Sequence, residues 1–148
     1  MKDELSGLID QLADKSARNR AIVQLVGAIN ANDLRRVSVE PRVKQALIAG
    51  LDHSNPRVRW WCLQLMDHLA DESYLVPILT RLSDPVGKVR RHAVHALSCG
   101  LCKPNRCTLK IDIEGPLRQL AASDPDERVR TEAREALLRL GYLMRVDS

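Results

Sequence analysis

Apolar residues recur along this chain at helical rather than alternating spacing. After Val58 come Cys62, Leu65, Met66 and Leu69; after Val89 come Ala93, Ala96 and Leu97; after Val129 come Ala133, Ala136, Leu137 and Leu140. Offsets of four, seven, eight and eleven trace one stripe down an amphipathic helix. Each stripe follows a second apolar segment: Val43, Ala46, Leu47 and Leu51, then Leu75, Ile78, Leu79 and Leu82, then Leu117, Leu120 and Ala121. A weaker first copy joins Leu5, Leu8, Ile9 and Leu12 to Ala21, Ile22, Leu25, Val26 and Ile29. The pattern predicts helix pairs, and its recurrence predicts that the pairs stack.

A short phrase marks the start of each second helix. Asp52-His-Ser-Asn-Pro-Arg-Val58-Arg59 is echoed by Asp84-Pro-Val-Gly-Lys-Val89-Arg90 and by Asp124-Pro-Asp-Glu-Arg-Val129-Arg130. The first copy has Asp14 but lacks the Val-Arg, which suits a capping repeat. Pro56, Pro85 and Pro125 fall near a first helical turn, where a missing N–H costs nothing. The aspartates are expected at helix starts, satisfying orphan N–H groups and complementing the helix dipole. Three equivalent copies argue for structure rather than for one active site. The resulting organisation is a single domain over 1–148, with repeats at about 1–31, 36–69, 72–98 and 112–140 and an insertion at 99–111.

Asp-Pro-x-x-x-Val-Arg followed by Ala-x-x-Ala-Leu resembles the HEAT repeat, particularly the bacterial type related to phycobilisome-lyase HEAT-like repeats. The resemblance covers roughly residues 14–140. It implies an all-α fold, a right-handed α-solenoid of about four helix pairs with the second helices lining its concave surface. It also implies that equivalent Asp and Arg side chains bridge neighbouring repeats as a ladder. Familiar members are scaffolds and adaptors, with a few enzymes such as alkylpurine DNA glycosylases, so the fold alone transmits no function.

Composition supports helices. Aromatics make up only 3%, with two Trp, two Tyr and no Phe, too few for the pleated faces of an all-β fold. No apolar run approaches the roughly 20 residues that span a bilayer, and the start has neither a basic n-region nor an apolar h-region. These features predict a cytoplasmic protein, most simply a monomer, whose four Cys meet reducing conditions.

The formal charge is +4, but it is uneven. From Val86 to Ile111 the chain carries Lys88, Arg90, Arg91, Lys103, Arg106 and Lys110 with no Asp or Glu. Such a patch attracts an acidic partner or nucleic-acid phosphates. By the resemblance, one line of positions on the second helices faces the concave side: Arg57, Trp61, Gln64 and His68; Lys88, His92, His95 and Cys99; Arg128, Glu132, Glu135 and Arg139. Trp60 and Trp61 lie about 100° apart on a helix and cannot enter the same core spot, so one is expected to be partly exposed, a candidate anchor for a partner, with packing at the edge of the stripe the alternative for Trp61. The expected partner-binding residues are Trp61, Gln64, His68, Lys88, Arg91, His92, Lys103 and Arg106.

The insertion carries the remaining chemistry. Cys99-x-x-Cys102 followed by Cys107 has the turn spacing of a zinc knuckle, and His95 lies one helical turn before Cys99. His95, Cys99, Cys102 and Cys107 would make a complete tetrahedral, structural zinc site. The same residues also read as a redox-sensing Cys99–Cys102 pair beside Lys103 and Arg106, or as free thiols. Cys62, at a core position, reads as an inert small hydrophobe.

No phosphate loop, nucleophile elbow or His-Glu-x-x-His motif is present. The expected function is a non-enzymatic protein-interaction or adaptor module, binding an unknown and acidic protein partner through the concave face and the basic insertion. The alternatives are a nucleic-acid-binding protein using the same patch and a HEAT-like enzyme of the DNA glycosylase or bilin lyase type.

Overall fold

The structure, a computed structural model, describes residues 4–31, 41–67, 74–98 and 111–141. Among these residues the chain is all-helical, with eight α-helices and no strand: α1 (Glu4–Gln11), α2 (Arg18–Ala31), α3 (Pro41–Gly50), α4 (Pro56–Asp67), α5 (Leu75–Thr80), α6 (Gly87–Ser98), α7 (Glu114–Ser123) and α8 (Glu127–Arg139). A 3₁₀ turn, Arg81–Ser83, follows α5. No described helix is long and apolar enough to cross a membrane.

Helices adjacent in sequence pack as pairs, α1 on α2, α3 on α4, α5 on α6 and α7 on α8. The second helices also pack on one another, α4 against α6 and α6 against α8, while α1 packs on α3. The apolar stripes fill the interior: Leu8, Leu12, Ala21, Leu25, Val43, Leu47, Val58, Cys62, Met66, Ile78, Val89, Ala93, Leu97, Leu117, Val129, Ala133 and Leu137 are all buried. Val26, expected in the first stripe, is instead 37% exposed. Leu63 and Val94 are buried as well although they lie off the stripe. Each follows a recurring arginine by four residues and so shares its face of the helix. The equivalent on α8 is Arg134, which is exposed.

Close approach of α1, α3 and α4 needs a small residue at position 50. A Cβ on Gly50 would collide with the Cys62 sulfur and meet the Ile9 side chain at 3.0 Å, so α3, α1 and α4 pack here only because position 50 has none. Burial pushes the Cys62 thiol up to about 12, well out of the range of a reactive thiolate.

The recurring arginines and aspartates hold successive pairs together. Arg59 on α4 donates from Nε and Nη2 to the two carboxylate oxygens of Asp84, at 2.8 and 3.1 Å. Arg90 on α6 repeats this on Asp124, at 2.8 and 3.0 Å. Each guanidinium also ties down its own repeat six residues back: Arg59 Nη1 donates to the His53 carbonyl, Arg90 Nη1 to that of Asp84 and Arg130 Nη1 to that of Asp124. The carboxylates in turn accept the N–H two residues on, Asp84 from Val86 and Asp124 from Asp126, both at 2.9 Å. This corrects the expectation that the recurring aspartates cap the helices. They shape the turn ahead of the helix, and capping falls to Asn55, which accepts from the Arg57 N–H, and to Asp126, which accepts from that of Arg128.

The second repeat departs from the pattern. Position 53, not Asp52, is the place six residues before Arg59, and a histidine occupies it. Its Nδ1 accepts the Asn55 N–H at 3.0 Å, as the aspartates do in the other turns, while Nε2 lies 3.1 Å from Asp10 on α1. Asp52 is left 80% exposed, 3.6 Å from Arg81. The first copy does keep an arginine: Arg18 stands three residues before Ala21, as Arg59 does before Cys62, and its Nε donates to Leu12 O, again six residues back. Arg18 Nη2 is buried and has no hydrogen-bond partner among the described residues.

Charges withdrawn from water are costly to strand. Asp84→Ala would leave the Arg59 guanidinium, 8% exposed, without its carboxylate, and a loss of about 3–5 kcal/mol is expected in urea denaturation. His53→Ala removes a partly exposed contact and is expected to cost less than about 1 kcal/mol. Equal losses would contradict this ranking. At Asp124 burial raises the pKa, but the Arg90 hydrogen bonds, the Asp126 N–H and the charges of Arg90 and Arg130 outweigh it and leave the carboxyl below its ordinary value. A carboxyl whose pKa is lowered on folding stabilises the protein above its unfolded pKa of about 3.9 and loses that contribution as pH falls through the folded value. Asp124→Asn is therefore expected to be less stable than wild type at pH 7 and to converge on it below pH 4, followed by denaturation midpoints across pH.

Candidate functional site

Helix periodicity places Lys88, His92 and His95 on one side of α6, at offsets of four and seven. Because α6 lies between α4 and α8, that side meets residues from both neighbours. The result is an open cavity of about 320 Å³ lined by Trp60 from α4, by Lys88, Arg91, His92 and His95 from α6, and by Glu132 from α8.

Its side chains form a chain of contacts. Lys88 Nζ sits 4.6 Å from the centre of the Trp60 ring, a cation–π contact. Trp61 meets Trp60 edge-on at 4.8 Å between ring centres. The Trp60 and His92 rings are 5.4 Å apart, and those of His92 and His95 are 5.6 Å apart. His95 Nδ1 then lies 3.4 Å from Glu132 Oε1. The same oxygen accepts from Arg139 Nη2 at 2.9 Å, and that nitrogen is 2.7 Å from the buried Ser98 hydroxyl. Glu132 is thus the acid of the cavity and is met by a guanidinium and an imidazole, its side chain only 12% exposed.

The balance of charge is therefore positive. Lys88 and Arg91 are exposed, Lys88 makes its recorded contact with an aromatic ring, and Arg91 makes no ion pair among the described residues. Among the described residues no nucleophile paired with a base lines the cavity. Among the described residues no group of three or more His, Cys, Asp or Glu is arranged to hold a metal ion.

Of the residues singled out from sequence, the structure gathers Lys88, Arg91, His92 and His95 in one place. Gln64 and Trp61 are half-buried on α4, and Trp61 supports the cavity through Trp60 instead of lining it. Arg57, Arg128 and Glu135 are exposed, and Arg139 reaches Glu132. His68, Cys99, Cys102, Lys103, Arg106 and Cys107 lie outside the described residues. Trp60 is the member that the concave line omitted. Its signal was available: Trp60 stands 31 residues before Arg91, the same separation as Val58 and Val89, so the register that contains Arg91 contains Trp60.

No family model matches the chain, and neither a curated protein nor a solved structure is significantly similar to it.

Proposed function

We propose that this chain is a non-enzymatic protein-interaction module: a HEAT-like, right-handed α-solenoid of about four helix pairs that takes a partner protein on the face formed by α4, α6 and α8. The observation that carries this reading is the cavity itself. Three successive second helices contribute to one concavity with an aromatic floor, two exposed cations and a carboxylate already compensated. Aromatic and arginine anchors of this kind carry much of the energy of protein interfaces. The Asp–Arg contacts between repeats support the HEAT-like part of the reading, since they occupy the phrase on which that resemblance rests.

The test is capture from an extract of the native host on immobilised chain, followed by reconstitution with the purified partner. Trp60→Ala and Arg91→Glu are each expected to weaken that complex about tenfold or more. A partner indifferent to both would place the interaction elsewhere. Exposed Lys88 and Arg91 also favour a second reading, nucleic-acid binding. It predicts retention on generic DNA or RNA at low salt that is lost when Lys88, Arg91, Lys103 and Arg106 are substituted; absence of low-salt retention refutes it.

We also propose that His95, Cys99, Cys102 and Cys107 hold a structural zinc. In support, His95 turns Nδ1 toward Glu132, the arrangement by which a carboxylate orients a metal-binding imidazole. Elemental analysis of chain purified without chelator should find about one zinc per molecule, falling on Cys102→Ser; zinc-free protein with freely reactive thiols would contradict the site.

A further inference from the structure

Taking the interaction reading above as given, we infer that the occupant of the α4–α6–α8 cavity is an acidic peptide segment, which seats a carboxylate between Lys88 and Arg91 with Trp60 beneath it. The argument is one of charge complementarity. Among the described residues the cavity lining holds one acid, Glu132, already met by Arg139 at 2.9 Å and by His95 at 3.4 Å. Lys88 and Arg91 have no carboxylate of this chain among the described residues to answer them, and both are exposed. They lie three residues apart on α6, so their heads project from adjacent points of one helical face. A guanidinium and an ammonium so placed leave an anion seat beside an apolar ring.

The rings decide between a peptide and a nucleic-acid strand. A strand bound without sequence preference stacks its bases on open aromatic faces. Trp60 is poorly suited to that: Lys88 Nζ lies over its ring at 4.6 Å, the Trp61 ring meets it edge-on at 84°, and His92 is tilted beside it at 5.4 Å. A base could stack there only by displacing Lys88, one of the cations that would hold the phosphate. A peptide carboxylate needs no open ring face: it seats between Lys88 and Arg91 beside Trp60 with the Lys88 ammonium still over the ring.

The experiment uses the full chain and a synthetic peptide with four consecutive Glu flanked by Gly and Ser, set against its Gln counterpart and a single-stranded oligonucleotide. Trp60 and Trp61 are the two tryptophans of the protein, so intrinsic fluorescence reports on the site directly. The Glu peptide is expected to change the emission saturably, and the Gln peptide to bind at least about tenfold more weakly, with the difference narrowing as salt is raised. Arg91→Glu, an exposed substitution that leaves the core untouched, should abolish the preference for Glu over Gln. Lys88→Ala should weaken binding and alter the emission of the free protein, because it removes the cation over Trp60. Equal binding of the two peptides, or a preference for Glu that survives Arg91→Glu, overturns the proposal, as does tighter binding of the oligonucleotide with the same residue dependence. A captured partner that needs Trp60 but binds through a neutral segment would sink this inference and leave the interaction reading standing.

Discussion

Arg59 on Asp84 and Arg90 on Asp124 are the contacts on which the arrangement of these helices depends. A buried charge pair is stabilising only when its remaining hydrogen-bonding capacity is also met. Here it is met from three directions. Each carboxylate takes two bonds from the arginine of the preceding repeat and the backbone N–H that forms the turn before its own helix, and Asp84 takes a third guanidinium bond from Arg81 at 3.3 Å. Each guanidinium spends its remaining arm on a carbonyl six residues back. One rung therefore fixes a turn, the entry to a helix and the seating of the next repeat together. Arg90 has its pKa raised above its ordinary value by the hydrogen bonds it donates to Asp124. Repetition of the rung gives α4, α6 and α8 equivalent neighbours, which is why side chains from all three can meet in one cavity.

The joint to the first helix pair is built differently. His53 stands where the other turns have aspartate, and its Nε2 lies 3.1 Å from Asp10, on groups 25% and 35% exposed. Arg18, the first arginine of the series, ends with a buried Nη2 that finds no acceptor among the described residues. A cavity of about 260 Å³ opens beside this joint, lined by Ser6, Asp10, Arg42, Gln45 and His53 among others. Weak, partly hydrated contacts of this kind define the regions of a protein that open first. Apolar packing adds to this joint: Gly50 lets Ile9 and Cys62 close over α3, so packing and the partly exposed His53–Asp10 contact seat the first pair together.

Much of this was legible in the residues, and the misses have specific causes. The buried stripes follow from periodicity because each helix must hide one apolar face. Leu63 and Val94 escaped because they are buried on the face of the recurring arginines, off the single stripe that the helical period traces. Asp52 was aligned with Asp84 and Asp124 by residue type, but it lies seven residues before its arginine where they lie six. The one-residue difference moves its side chain to solvent and hands the place to His53. Trp61 was preferred to Trp60 because it falls on the line drawn from equivalent positions. Which of two adjacent ring systems meets His92 depends on how α4 crosses α6, and that is a property of the pair.

By itself the sequence determined that the described chain is helical and which apolar stripe of each helix is buried, because those properties follow from local propensity and a 3.6-residue period. It also placed the basic excess around α6. The tertiary structure decided which arginine meets which aspartate, that position 53 carries a histidine in a carboxylate's place, and that Trp60, His92, His95 and Glu132 form one continuous set of contacts. Those facts rest on the spacing and rotation of neighbouring helices, set by side chains far apart in the chain. No periodicity within one helix contains them.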